Sequence, residues 1–123
     1  MPVVQSVAGP STDPETFTYT VREPLGVVSL ITPWNYPIAI PAWKLAPALA
    51  AGNSVVINPA SAAPGVVLAV TEALDKAGLP AGVLNVVTGP GSSVGNEFIT
   101  SEGTDVVSFT GSGQVGEMVY DQA

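Results

Sequence analysis

Residues 26–37 read Gly-Val-Val-Ser-Leu-Ile-Thr-Pro-Trp-Asn-Tyr-Pro, a short apolar run that leads into a turn between two prolines. The run over residues 26–31 is rich in β-branched side chains, which is typical of a buried parallel strand. Pro33 cannot donate to a strand ladder, and Pro37 disfavours a helical conformation at Tyr36. The sequence therefore predicts a strand that ends in a rigid, extended turn.

The amide side chain in this turn belongs to Asn35. Open α/β sheets bind their ligands at the carboxyl ends of the strands, and Asn35 follows such an end directly. Its NH2 group is a suitable donor to an oxyanion that develops during a reaction. The alternative is that Asn35 only satisfies the backbone of its own turn.

Strand and helix patterns alternate from residue 26 to the end of the chain. Strands are predicted over residues 27–31, 54–58, 84–87 and 106–109, and helices over residues 40–51, 64–77, 92–101 and 112–122. Gly52 and Gly78 are predicted to end the first two helices. Short apolar strands that alternate with helices imply right-handed crossovers, and they predict an α/β fold with a mostly parallel, doubly wound sheet.

A glycine-rich loop follows the last predicted strand. Residues 111–116, Gly-Ser-Gly-Gln-Val-Gly, match the spacing G-x-G-x-x-G at the start of a predicted helix. Glycines let the backbone approach a pyrophosphate, whose charge is met by free N–H groups and the helix dipole. Ser112 can cap the helix and also donate to a phosphate oxygen. The alternative is a glycine-rich connection with a serine N-cap and no ligand.

These two loops, and the segments between them, carry a family resemblance. Residues 32–37 are similar to the signature loop of the aldehyde dehydrogenase superfamily, and residues 109–116 are similar to its phosphate-side loop. Residues 22–26, 42–53 and 78–83 resemble the family in matching order, so the likeness runs from Phe17 to the last residue. It implies a Rossmann-like fold, truncated at both ends, that binds NAD or NADP in an enzyme that oxidises an aldehyde to a carboxylate.

The resemblance also implies roles for individual residues. Asn35 is the expected donor to the oxyanion of the tetrahedral species. Lys44, in a family-like segment, is expected to be structural or to line the active site. The family's cofactor contacts in the two loops fall on Thr32, Pro33 and Trp34, through their backbone, and on Gly111 and Ser112.

The chain departs from the family pattern after the second strand. The family usually has a lysine at the position of Asn58, and that lysine hydrogen-bonds the adenosine ribose. Asparagine keeps hydrogen bonding but removes the charge and shortens the reach. At the position of Ser61 many NAD-preferring members carry a glutamate that binds the ribose, whereas a small hydroxyl residue leaves room for the phosphate of NADP. Both residues are thus assigned to the cofactor site, and the sequence does not decide whether that cofactor is NAD or NADP.

The resemblance implies that the chain is a fragment. Residues 1–16 are predicted to be a flexible arm or severed linker, and residues 17–123 a partial dinucleotide-binding domain. Residues 16–22 alternate in period two, and in the family this strand belongs to an oligomerisation element of a homo-oligomer, with its partners outside the chain. The family's cysteine nucleophile and water-activating glutamate are expected in later sequence, so the chain alone is predicted inactive. The alternative is a non-catalytic, truncated nucleotide-binding module.

Composition excludes several function classes. The chain has no cysteine and no histidine, so it lacks a thiol nucleophile, thiolate metal ligands and the usual general base. Three basic residues against ten acidic ones leave no basic surface for a nucleic acid. A secretory signal and an unbroken apolar run of about twenty residues are also missing. A soluble cytoplasmic protein with an aldehyde substrate and no membrane partner is expected.

The acidic, lysine-poor composition resembles that of proteins from salt-loving organisms, and the net charge is −7. Like charges repel one another in the folded state, and raising KCl from about 0.1 M to about 1 M shortens the Debye length from about 10 Å to about 3 Å. We therefore expect the melting temperature, measured by circular dichroism, to rise over this range of KCl. A melting temperature that stays constant or falls would contradict this prediction.

Overall fold

The computed structural model describes residues 7–10 and 13–123, which form an α/β fold. No helix in these described ranges has the length and apolar character needed to cross a bilayer. The elements in chain order are β1 (Val7–Gly9), β2 (Thr18–Thr20), β3 (Val27–Thr32), α1 (Ala39–Ala50), β4 (Ser54–Pro59), α2 (Pro64–Lys76), β5 (Leu84–Val86), a π-helical turn (Gly91–Gly95), α3 (Asn96–Thr100), β6 (Val106–Phe109) and α4 (Gly113–Gln122).

The main sheet has four parallel strands in the order β5-β4-β3-β6. Strand β3 lies between β4 and β6, with Thr32 opposite Pro59 and Ile31 opposite Phe109. The chain first builds the sheet outward through β4 and β5, and then returns to the other side of β3. The strand order therefore reverses beside β3, which is where open sheets of this kind bind ligands.

The helices cover both faces of this sheet. Successive side chains of a strand point to opposite faces. Leu30 of β3 packs in a buried cluster with Leu45 of α1 and Val67 of α2. Ile31, on the other face, borders a groove together with side chains of α3 and α4. The predicted mostly parallel, doubly wound sheet is confirmed.

Glycines end α1 and α2 in the way the sequence predicted. Gly52 and Gly78 have φ values of +88° and +92°, a region that glycine enters without steric cost. The Gly78 N–H donates to Asp75 O at 2.9 Å, and the Leu79 N–H donates to Leu74 O at 3.0 Å. This pair of bonds is a Schellman motif, which satisfies carbonyl groups that the helix end leaves free.

The structure corrects the prediction for residues 16–22. Their strand was expected to find its partners outside the chain, but β2 pairs antiparallel with β1, with Gly9 opposite Thr18. The partner escaped prediction because a three-residue strand containing Gly9 has no clear apolar alternation. Residues 1–6 and 11–12 of the predicted arm lie outside the described ranges.

The helix predicted over residues 92–101 is also different in the structure. It begins with the π-helical turn and continues as α3, which ends at Thr100. Glycine and serine are poor helix formers, and the sequence of the turn is Gly-Ser-Ser-Val-Gly. A regular α-helical start is therefore weakly favoured there. Gly95 is buried in this turn, where an added Cβ would lie 3.8 Å from Ile31 Cδ1.

The entry to β3 is held by side chains from two other elements. The buried Asn53 accepts hydrogen bonds at Oδ1 from the N–H groups of Leu25, at 2.6 Å, and Gly26, at 3.1 Å. Its Nδ2 donates to Ala48 O at 3.0 Å. Asp105 accepts from the Val27 N–H at 2.7 Å. One amide thus joins the end of α1 to the start of the central strand.

Replacement of Asn53 by alanine should destabilise the fold by about 2–3 kcal/mol, because buried groups without a partner cost about 1–3 kcal/mol each. The control is Asn85→Ala, since the exposed Asn85 makes a single bond to Gly82 O, and a loss below about 1 kcal/mol is expected for it. Urea unfolding followed by circular dichroism measures both. Equal losses in the two variants would contradict the role given to Asn53.

Candidate functional site

The proline-flanked turn and the glycine-rich loop meet at one edge of the sheet. The Thr110 N–H donates to Ile31 O at 3.0 Å, which joins the ends of β6 and β3. A cleft of about 410 Å³ lies beyond these ends. The turn contributes Pro33, Trp34 and Asn35 to its walls, the start of α1 contributes Ile40, and the loop contributes Thr110, Gly111 and Ser112. The two predicted loops therefore form a single site.

Asn35 has an exposed side chain in this cleft. No hydrogen bond joins its carboxamide to another group in the described part of the chain. The backbone after the turn is held by a hydrogen bond from the Ile40 N–H to Tyr36 O at 3.2 Å, and this bond does not involve the side chain of Asn35. The amide of Asn35 is thus available to a ligand, and the alternative, in which the turn consumes it, finds no support. Its role as an oxyanion donor stays a prediction.

The glycine-rich loop presents free backbone donors beside Asn35. Ser112 caps α4 as predicted, with its Oγ accepting from the Val115 N–H at 3.4 Å. The N–H groups of Gly113 and Gln114, in the first turn of α4, have no acceptor within the described ranges. Free N–H groups at the positive end of a helix dipole attract anions such as phosphate. This geometry suits a pyrophosphate.

Gly111 has a packing role that the sequence did not reveal. A Cβ at this position would collide with the ring of Phe109, whereas a Cβ at Gly113 would meet nothing within 4 Å. The ring of Phe109 therefore lies directly against the loop. A larger residue at position 111 would therefore force the ring or the loop to shift, besides any need for a close approach to a ligand.

Thr32 carries an orphaned polar atom. It is 3% exposed at the carboxyl end of β3, and its Oγ1 is the one buried side-chain polar atom without a partner among the described residues. A buried hydroxyl without a partner costs free energy, so this atom is an exception among the buried polar groups of the described residues. Thr32 lines a second cleft, of about 260 Å³, which it shares with Ser112.

Asn58 and Ser61 border this second cleft, but both also serve the fold. The buried Asn58 donates from Nδ2 to Val87 O at 2.8 Å and to Gly89 O at 3.4 Å. Ser61 Oγ donates to Gly89 O at 3.1 Å. Both side chains therefore hold residues 87–89 against the end of β4. Their assignment to cofactor binding stays a prediction. In the structure the amide nitrogen of Asn58 donates to backbone carbonyl groups.

An apolar groove of about 400 Å³ adjoins these clefts on the α3 and α4 side of the sheet. It shares Ile31, Phe109 and Val115 with the second cleft. The remaining apolar side chains of its wall are Ile99 of α3, and Met118 and Val119 of α4. Sequence reasoning missed this groove because its wall combines side chains from elements far apart in the chain. The apolar spacing of α4 was the available signal.

Lys44 lies on α1 and points toward β6. Its Nζ donates to Ser108 Oγ at 2.7 Å, and the described residues offer it no carboxylate within ion-pair distance. Burial lowers the pKa of the Lys44 ammonium below the usual value of 10.5, because removal from water penalises the charged form. These contacts favour the predicted structural or lining role.

The sequence of the chain is similar to that of a known protein family. The sequence model of the aldehyde dehydrogenase family matches residues 3–123. The alpha-ketoglutarate semialdehyde dehydrogenase of Haloferax volcanii is 77% identical over 110 residues, which are 89% of this chain and 23% of that protein. The 2,5-dioxopentanoate dehydrogenase of Saccharolobus solfataricus is 58% identical over 90% of this chain and 23% of its own length. The chain thus spans about a quarter of the length of these relatives.

Solved structures agree with the sequence comparison. Betaine aldehyde dehydrogenase from Staphylococcus aureus, crystallised with NAD+, superposes with a TM-score of 0.89 at 40% identity, over 96% of this chain and 24% of that one. An NAD-dependent benzaldehyde dehydrogenase from Corynebacterium glutamicum superposes with a TM-score of 0.87 at 40% identity, over 98% of this chain and 26% of that one.

Two glycine variants test the packing of the loop. Gly111→Ala should lose about 1–3 kcal/mol of stability, because an added methyl group forces the Phe109 ring or the loop to move. The matched control is Gly113→Ala, which enters open space in a helix and should gain up to about 1 kcal/mol. Urea unfolding measures both variants. Equal stabilities would show that the ring does not constrain Gly111.

Proposed function

Because the chain belongs to the aldehyde dehydrogenase family, we propose that it is the dinucleotide-binding part of an NAD(P)-dependent enzyme that oxidises an aldehyde to a carboxylate. The observation that carries this proposal is the common cleft of the Asn35 turn and the Ser112 loop. One loop offers a neutral donor for negative charge that develops on a substrate, and the other offers backbone donors for a diphosphate.

The described residues fit a dinucleotide. Free N–H groups at Gly113 and Gln114 suit the pyrophosphate, and Thr32 lines the adjoining cleft together with Ser112. The apolar groove between α3 and α4 suits a flat, apolar ring such as adenine. We assign the pyrophosphate to the Ser112 loop, the adenosine to the groove and the nicotinamide to the cleft beside Trp34. When bound, the nicotinamide supplies the acceptor for a hydride.

The chemistry of this chain's own residues centres on Asn35. A nucleophile that attacks an aldehyde carbonyl converts its oxygen into an oxyanion, and the exposed amide of Asn35 can donate to that oxygen. The 123 residues contain no cysteine, so they do not provide the thiol nucleophile expected for the family. We therefore propose that this chain supplies cofactor binding and the oxyanion donor, and that alone it does not oxidise aldehydes.

The relatives favour a particular substrate class. Two of them, at 77% and 58% identity, are named for alpha-ketoglutarate semialdehyde and 2,5-dioxopentanoate. We propose that the substrate is a semialdehyde that carries a carboxylate at its other end. The whole enzyme is proposed to be a homo-oligomer, and the exposed strand β2, which pairs with β1, is available for that assembly.

A non-catalytic nucleotide-binding module is the second candidate, because the free backbone donors of the Ser112 loop suit a nucleotide whether or not a substrate is oxidised. Both candidates bind the cofactor in the same way. They differ in whether this chain supports aldehyde oxidation when it is part of a full-length enzyme. A chimeric enzyme that carries this chain in place of its own matching segment, called the graft below, distinguishes them.

The graft replaces the matching segment of the Haloferax volcanii relative with residues 17–123 of this chain. We expect an active enzyme, and we expect Asn35→Ala to lower its turnover about 100-fold to 1000-fold with cofactor affinity nearly unchanged, as typical for loss of one oxyanion donor. Absorbance at 340 nm measures turnover. Asn85→Ala, far from the cleft, is the control. An inactive graft favours the non-catalytic module, and full turnover in Asn35→Ala refutes the role of Asn35.

The preference for NAD or NADP is tested with variants of Asn58. Each cofactor is titrated into the chain, and binding is followed by tryptophan fluorescence because Trp34 lines the cleft. Asn58→Ala removes the bonds to residues 87 and 89 and should weaken both cofactors alike. Asn58→Lys also removes these bonds but adds a cation, so relative to Asn58→Ala it should strengthen NADP more than NAD. Unchanged affinity for both cofactors in both variants would remove Asn58 from the site.

A further inference from the structure

Met118 lies in the wall of the apolar groove between α3 and α4, and the residue is 38% exposed. The sequence has no cysteine, and its other methionine is Met1. Within the described ranges Met118 therefore carries the one sulfur atom. The residue is partly exposed, and it lines the groove together with side chains such as Ile99 and Phe109.

We propose that Met118 is a site of oxidation that controls binding in this groove. The inference rests on the proposed function, in which the groove holds the adenosine of the cofactor. The oxidant is a peroxide, which gives one oxygen atom to the thioether sulfur. The sulfur loses two electrons and becomes a sulfoxide, the O–O bond breaks, and the peroxide is reduced to water or an alcohol.

Oxidation changes the chemistry of the groove wall. A thioether is apolar and makes favourable contacts with aromatic rings, whereas a sulfoxide is strongly polar. The polar side chains of the lining, Ser92 and Asn96, are exposed at its rim. The sulfoxide oxygen either stays hydrated near Ser92 and Asn96, or it loses its hydration when the adenine of the cofactor enters the groove. In both cases the apolar contact of Met118 with the occupant is lost.

The coupling between oxidation and binding is reciprocal. A ligand that binds the reduced form more tightly than the oxidised form must favour the reduced form. An occupant of the groove also covers the sulfur. Bound cofactor should therefore slow the oxidation of Met118, and oxidation should weaken the cofactor.

The experiment uses the full chain and begins with the affinity of the reduced protein for NAD and NADP, measured by tryptophan fluorescence. The chain is then treated with hydrogen peroxide, with and without saturating cofactor, and peptide mass spectrometry follows sulfoxide at Met118. We expect cofactor to slow this oxidation. We also expect the oxidised chain to bind at least about fivefold more weakly, the effect of one poorly solvated polar group.

Two variants assign the effect to Met118. Met118→Leu keeps an apolar side chain without sulfur, so peroxide should leave its affinity for cofactor unchanged. Met118→Gln places a polar side chain of similar size there, and without any oxidant it should bind more weakly than Met118→Leu. Circular dichroism confirms that both are folded.

The outcomes separate this inference from the proposed function. If the reduced chain binds neither cofactor, the proposed function fails and the inference fails with it. If the reduced chain binds, but cofactor does not slow oxidation or oxidation does not weaken binding, the inference alone is overturned. A loss of affinity on oxidation that persists in Met118→Leu overturns it as well.

Discussion

Strand β3 is hydrogen-bonded in parallel to β4 on one side and to β6 on the other, and every part of the candidate site depends on this pairing. In a parallel sheet the carboxyl ends of neighbouring strands meet at one edge. The turn after Thr32, the segment after Pro59 and the loop after Phe109 are brought together for that reason. Asn53 and Asp105 hold the opposite end of β3 and so fix its position along the sheet.

Much of this arrangement could be predicted from the sequence because its signals are local. The apolar run at residues 27–31 lies within β3, and Gly52 and Gly78 end their helices with positive φ. What escaped prediction depends on tertiary contacts or on weak local preferences. The pairing of β1 with β2 joins segments that show no shared pattern, and the π-helical turn has a sequence with little helical preference.

The candidate site was likewise predicted only where its signals are local in the sequence. The Asn35 turn and the Ser112 loop were predicted because each is a short motif in one segment, and the structure brings them to one cleft. The groove between α3 and α4 was missed because its wall combines several elements. The bonds from Asn58 to Val87 and Gly89 were missed as well, since a side-chain bond across about thirty residues leaves no local trace. Thr32 was assigned through its backbone, whereas the structure draws attention to its hydroxyl.

The short connection from α1 to β4 has a consequence for ligand affinity. Residues 51–53 alone link the two elements, and α1 begins at Ala39, four positions after Asn35. The segment that carries Asn35 is thus tethered at both ends to regular structure, by β3 before it and by α1 after it. A receptor preorganised in this way loses little conformational entropy when an occupant arrives, so more of the contact energy remains as affinity.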